Sequence, residues 1–521
     1  MGKVFCLTGI YLLGLSSCRN GLTQYTLQRA LWELLPIGSV KERVGQLYDI
    51  GETLEALLCA TRGSIDNLES RAKKCTDDDL LPNFSLRLTA QTLPDDILCC
   101  ILQAGLLHDA ISFSQVCRKF RRVALELPTL WTYIDDSMTL PKIKAYLSRS
   151  QDAPLFVSYQ LEPCKYTLQS AQSFFITVFK HAHRIESMSI SIPGNGDDLS
   201  AWMNRDESSN LALPMLKYLT LNEPYGLSDS VNFQDNSEQG YQFIARWTVP
   251  NLLSLHTSNM LSCPLFERRK FTSLELVFGG YEEDTLSLAT EELLDILRSN
   301  PQLQNLSLTF SDTLFDSCAG PPVLMSNVES LTIGWLSAEP GDSLSQDELD
   351  LTLDEIGTIR ELSHHLVFPN VVTIKLDLEV KVWRHVPQVL QLLLDGQSTF
   401  ESVASFQLKL RSWFHTNSTC FLDSIFHKFP NLINLSIDAV DSGHDRLWKA
   451  YANLGPLTPK LDSVKMRLNG AFSSATITPL LDSTDVRKLE IVHHPQIHRP
   501  AFDKYNNKVN VVWKEEISTD H

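Results

Sequence analysis

The side chains in this chain best able to do chemistry are fourteen histidines, eleven cysteines and sixty-two carboxylates. Their spacing decides what that chemistry is. Two histidine pairs, His364-His365 and His493-His494, are adjacent in sequence, whereas two helix-borne ligands for one metal need i, i+4 spacing. The cysteines, at 6, 18, 59, 75, 99, 100, 117, 164, 263, 318 and 420, contain no Cys-x-x-Cys pair, so neither a zinc knuckle nor a disulfide framework is indicated. Acidic pairs such as Glu282-Glu283 read as loop residues with no His or Lys partner for proton transfer. Gly194-Asn-Gly196 reads as a turn, and no nucleophile elbow, P-loop, dinucleotide fingerprint or His-Glu-x-x-His occurs. The expectation is a chain that is not an enzyme, has no cofactor and no metal, and works by binding.

The strongest binding signal lies between residues 93 and 131, LPDDILCCILQAGLLHDAISFSQVCRKFRRVALELPTLW. Pro94 suits a first helical position because its missing N–H has no partner there anyway, and Asp95 and Asp96 favour the positive end of the helix dipole. Ile97, Leu98, Ile101 and Leu102 recur at helical spacing. After a break at Gly105 a second apolar set follows, Phe113, Val116, Cys117 and Phe120, interleaved with Arg118, Lys119, Arg121 and Arg122. About 40 residues are too few to bury all these side chains internally. Some of them must face a neighbour.

The stretch resembles an F-box, the module that docks substrate receptors onto the Skp-type adaptor of a cullin–RING ubiquitin ligase. The resemblance is carried by Leu93, Pro94, Asp96, Ile97, Leu98 and Ile101, then Val116, Cys117, Arg118, Phe120 and Arg121, and finally Pro128, Leu130 and Trp131. Phe120 stands where the family usually has Trp, and the middle, Gly105 to Asp109, is loosened. The continuation through Pro-x-Leu-Trp resembles the F-box-like proteins expanded in mushroom-forming fungi. The resemblance implies an adaptor-binding face made of Leu93, Pro94, Ile97, Leu98, Ile101, Leu102, Val116, Cys117 and Phe120. It implies a substrate-recognition subunit of an SCF-type ligase, with cullin–RING reached through the adaptor. Two alternatives stay open: an interaction scaffold without ligase role, and a secreted or membrane-attached recognition protein.

At 521 residues, 43% hydrophobic and 21% charged, the chain is too long for one compact core and suits two domains or a repeat array. A net charge of −17 disfavours a whole-chain footprint for nucleic acid. The first residues, MGKVFCLTGIYLLGLSSCRN, pass the loose test for a secretory signal yet are too short to span a bilayer comfortably. A cytoplasmic or nuclear protein without membrane attachment is expected, because the adaptor works there. Between 40 and 72 an apolar 4-3-4-3 spacing reads either as a helix folded back on its own chain or as a homodimer seam.

Beyond residue 140 an apolar-x-x-apolar-x-apolar motif repeats, often after Pro or Pro-Asn. Its clearest copies start at Leu216, Leu303, Val371 and Leu432, with weaker ones at Ile185, Leu252, Phe271, Val328, Val403, Leu461 and Val486. Successive offsets run from 19 to 43 residues, near or above leucine-rich-repeat length. Short helices, Glu291–Arg298 and Phe421–Lys428, precede two copies, so helix and strand periods alternate. The expected fold class is α/β: an N-terminal helical region, a three-helix F-box and an irregular leucine-rich-repeat-like solenoid with a parallel sheet. Its expected divisions are an apolar segment (1–24), a helical region and linker (25–87), the F-box (88–135), a repeat domain for an unknown target protein (140–500) and a tail (501–521). Alternate strand residues point away from the leucines. Lys375, Asp377, Lys409, Ser436, Asp438, Lys465 and Arg467 are therefore candidate target contacts, four of them basic.

Overall fold

A computed structural model describes residues 94–104, 110–160, 168–191, 210–222, 242–260, 265–268, 271–279, 286–311, 313–316, 320–336, 359–360, 363–382, 386–395, 400–414, 422–439, 460–468, 481, 486–493 and 508–515. The apolar N-terminus, the 40–72 seam with its homodimer and Leu93 lie outside these residues.

The chain is α/β, and its centre is one long parallel sheet of fourteen strands in which every strand lies beside its sequence predecessor. The strands are β1 Tyr133–Asp135, β2 Leu155–Gln160, β3 Ile185–Ser191, β4 Tyr218–Asn222, β5 Ser254–Ser258, β6 Ser273–Gly279 and β7 Asn305–Ser311. They continue as β8 Ser330–Leu336, β9 Thr373–Val382, β10 Ser405–Phe414, β11 Asn434–Ala439, β12 Ser463–Leu468, β13 Lys488–His493 and β14 Asn510–Glu515. Each repeat of the apolar motif supplies one strand, from β3 to β13.

Register explains why the motif specifies this sheet. The fourth motif position places Met188, Leu219, Leu255, Leu274, Leu306 and Leu331 side by side, followed by Ile374, Phe406, Leu435, Val464 and Leu489. None of them is more than 2% exposed. Each such side chain contributes about 1.5–3 kcal/mol by leaving water. A one-residue slip would turn the whole row toward solvent, so the alternation fixes the register.

The Pro-Asn signal has its own physical meaning. In five repeats the residue just before the first apolar position donates its side chain to a backbone carbonyl of the preceding repeat. Asn251 bonds Pro214 at 2.7 Å, Asn327 bonds Pro301 at 2.9 Å and Asn370 bonds Ser326 at 2.8 Å. Ser402 bonds Pro369 at 3.0 Å and Asn431 bonds Glu401 at 2.8 Å. These bonds tie the strand entrances of successive repeats, at about 1 kcal/mol net each.

The two ends depart from the expected divisions. Residues 510–515, expected in a tail, form β14, paired along β13 from Asn510↔Lys488 to Glu515↔His493. Lys508 occupies that copy's first apolar position, which hides it from the motif. At the other end β1 and β2 extend the apolar row through Ile134 and Val157. The sheet thus begins inside the segment expected to be a separate F-box, with no linker between them.

That segment comprises α1 Asp95–Ala104, α2 Ala110–Val116, α3 Arg118–Glu126 and a 3-10 turn, Pro128–Trp131. Trp131, fully buried, joins it to the sheet. Its indole Nε1–H donates to the Ala124 carbonyl at 2.7 Å, near the C-terminal end of α3. Its ring meets Tyr146 edge-on at 5.1 Å, and the Arg149 guanidinium lies 4.3 Å from the ring centre. Tyr146 and Arg149 belong to α4, Leu140–Arg149. Buried Arg184 closes α4 by donating to the Leu147 carbonyl at 2.9 Å and the Ser150 hydroxyl at 2.9 Å. Among the described residues no helix is long and apolar enough to cross a membrane.

Candidate protein-docking surfaces

The first surface is the helical unit. Leu98 and Leu102 lie one helical turn apart on α1, and Phe120, Val123 and Ala124 form the inward stripe of α3; all five are at most 2% exposed. They pack with Leu130 and Trp131 in the continuous core. Leu98, Leu102 and Phe120 were expected on the adaptor-facing side, and here the structure corrects the sequence reading. Helical periodicity identifies an apolar stripe but not which neighbour covers it, and α1, α3 and the turn cover this one.

The other expected contacts divide. Pro94 is exposed, while Val116 and Cys117 are half-buried; the side chains of Ile97 and Ile101 lie outside the description. Phe113 of the second apolar set is half-buried against the core, and residues that periodicity did not single out join it: Cys99, Ile111 and Leu127 are half-buried and Leu125 is 41% exposed. Leu125 is found by asking what lies opposite the Phe120 stripe, where it accompanies exposed Arg118, Arg121 and Arg122.

Electrostatics pins the helices together from outside. Asp95 receives Arg122 at 2.5 Å and Lys119 at 3.2 Å, joining α1 to α3. Those two hydrogen bonds, Arg122's first, hold the Asp95 carboxyl below the usual carboxylate range. Arg121 donates to the Ser114 carbonyl at 2.9 Å, joining α3 to α2. Burial, ahead of nearby negative charge, raises the Cys99 thiol and makes it a poor nucleophile.

The second surface is the sheet face opposite the leucines. Two rows of side chains run across it. One contains Ser158, Ser189, Thr220, His256, Glu275, Ser307 and Thr332, then Lys375, Gln407, Ser436, Lys465 and Glu490. The other runs from Gln160, Ser191, Asn222 and Ser258 through Val277, Thr309 and Gly334 to Asp377, Lys409, Asp438, Arg467, Val492 and Lys514. From β2 to β8 these rows carry mostly hydroxyls and amides, with Val277 and Gly334 between them, and His256 Nδ1 lies 2.9 Å from the Glu275 carboxylate. From β9 onward they carry charge.

The expected basic stripe becomes a set of cross-strand ion pairs. Lys409 meets Asp377 at 3.1 Å, Arg467 meets Asp438 at 3.4 Å and Lys465 meets Glu490 at 3.3 Å. Arg411 reaches Glu379 at 3.2 Å. Residues spaced about thirty apart in sequence sit about 4.8 Å apart in the sheet, and only the register shows which charges face each other. Lys375 and Ser436 stand in the first row as expected, half-exposed.

Glu490 is the most loaded of these groups. Lys465 at 3.3 Å, Lys488 at 3.5 Å and Lys514 at 3.5 Å surround its carboxylate, which is 10% exposed. Burial pushes this carboxyl up, yet Lys465, Lys514 and Lys488 together hold it below its ordinary value. Among the described residues no three His, Cys, Asp or Glu side chains group as metal ligands. The His364 ring nitrogen Nδ1 lies 2.8 Å from the Arg360 carbonyl.

Comparison with known proteins gives three findings. Residues 90–137 match the F-box-like family model. No curated protein matches the chain. A solved structure titled "Crystal structure of Rad7 and Elc1 complex in yeast" shares 13% identity at a TM-score of 0.26, covering 88% of this chain and 97% of that one. A similarity at that level fixes neither a fold nor a partner. What stands is narrower: the chain carries an F-box-like domain, and its helices close one end of a long parallel sheet.

Proposed function

We infer that this chain is the substrate-recognition subunit of an SCF-type cullin–RING ubiquitin ligase, acting in the cytoplasm or nucleus. Its helical unit docks a Skp-type adaptor, and the sheet, read as a degenerate leucine-rich-repeat solenoid, holds a target protein. One observation carries this reading most: the F-box-like match falls on the helical unit, whose outer apolar side chains are incompletely covered. The strictly sequential order of the parallel strands supports the solenoid.

In this reading the chain does no covalent chemistry. It holds a target lysine near a charged partner enzyme and raises its effective concentration. Half-buried Val116, Cys117 and Phe113, with exposed Leu125 and Pro94, are the anchors an adaptor covers. Gains of about 1.5–3 kcal/mol per anchor oppose an association cost of roughly 4–15 kcal/mol, so loss of one central anchor weakens binding severely.

Adaptor recovery on the full chain tests this, comparing wild type with Val116→Glu and Leu125→Glu. Adaptor recovery should fall sharply in one or both while the thermal unfolding midpoint stays within a few degrees. Undiminished recovery from both would remove the proposed face. Leu98→Asp does not serve, because a charge at that buried site unfolds the unit.

A further inference from the structure

Among the described residues on the open face of β12 and β13, two exposed lysines, Lys465 and Lys488, stand against one carboxylate, Glu490. On the open face of β12, β13 and β14 stand Lys465, Arg467, Lys488 and Lys514, and the one acidic side chain among them is Glu490. Arg467 is held by Asp438 of β11. Lys465 and Lys488, each about half-exposed, share the single charge of Glu490 with Lys514. Each ammonium has three donors, and one carboxylate cannot occupy them all.

The geometry points to an acidic polypeptide segment as the ligand of this end of the sheet, laid extended across β12 to β14 with Lys465 and Lys488 as its main contacts. This rests on reading the sheet as the target-binding part, and it names the chemistry of the target there.

Three features support it. Buried Glu490 holds the lysine heads in one place, so part of the entropy cost of ordering them is met before a ligand arrives. The same rows from β2 to β8 have no such excess, so the patch is local. In a chain of net charge −17 a local cationic patch steers acidic partners toward itself. An extended acidic peptide places about three residues within the roughly 10 Å spanned by three strands. A nucleic acid extends past the patch and meets the acidic remainder of the molecule.

The test is fluorescence anisotropy of the full chain, co-purified with its adaptor, against a labelled tetraglutamate, short enough to stay on the patch. A labelled ten-nucleotide single strand serves as competitor class. Wild type should bind the peptide with an affinity that falls as salt rises. Lys465→Glu with Lys488→Glu should weaken binding about tenfold or more. If the double reversal does not fold, Lys465→Gln with Lys488→Gln should still weaken binding several-fold. Equal peptide affinity in wild type and the lysine variants overturns the inference, as does tighter binding of the oligonucleotide. Adaptor recovery from the same preparations keeps the two readings apart. Retained adaptor with no peptide binding defeats this inference alone, whereas absent adaptor with lysine-dependent peptide binding defeats the ligase reading alone.

Discussion

The sheet and the helical unit bury their apolar side chains to different degrees. In the sheet the leucine row is sealed on every strand from β3 to β13, and the exposed apolar side chains of the repeats, Leu253, Val372 and Ile433 among them, stand at strand entrances. In the helical unit Leu98, Leu102 and Phe120 are sealed, yet Cys99, Ile111, Phe113, Val116, Cys117 and Leu127 are only half-covered, and Leu125 is 41% exposed. A repeat array covers each unit with the next. Among the described residues the three helices meet the array on one side. The difference is one of grouping: the half-covered apolar side chains of the helical unit crowd into residues 99–127, whereas the exposed ones of the repeats, Leu253, Val372 and Ile433, recur one per strand entrance.

Four outcomes probe this contrast, beginning with the largest. Leu98→Asp should cost at least about 4 kcal/mol, because it buries an unpaired charge. Chemical denaturation should show the helical unit lost, with adaptor binding lost alongside. Leu306→Ala, in the middle of the sealed row, should cost about 2–5 kcal/mol, whereas Leu125→Ala on the helical unit should stay within about 0.5 kcal/mol. Similar costs for the two would erase the distinction between the regions.

Gly334→Ala should cost about 1–3 kcal/mol, since a methyl there sits 2.8 Å from the Thr309 side chain. Thr309→Ala in the same chain should restore part of the loss. The smallest effect is on pH. The folded Glu490 carboxyl lies below its unfolded value, so its contribution is complete above about pH 4.3 and is lost as pH falls through the folded value. Glu490→Gln should therefore show a flatter loss of stability than wild type when urea melts are repeated from pH 5 down to pH 3.

Much of this architecture was legible in the sequence, for one physical reason: strand and helix periods are local. Eleven motif copies gave eleven strands, and the helix read at Glu291–Arg298 spans Thr290–Ser299. Neighbourhood was not legible. Leu98 and Val116 have similar apolar character, and only the packing of α1 against α3 and the turn shows that one is sealed and the other half-open. The charged stripe failed for the same reason, since Lys465 and Glu490 become neighbours only through β12–β13 register. The sheet's ends were misjudged because Lys508 breaks the motif before β14, and because β1 lies inside the F-box-like match. Phe120, read as an adaptor contact in place of the usual Trp, instead fills the core beneath α3, and Trp131 anchors that core to α4.

The most direct test of the whole account is a size-exclusion and light-scattering measurement of the full chain mixed with a purified Skp-type adaptor. A one-to-one complex that dissociates with Val116→Glu or Leu125→Glu, while both variants melt like wild type, is the result this account requires. Two separate peaks at micromolar concentrations, with the wild-type chain folded, would contradict it.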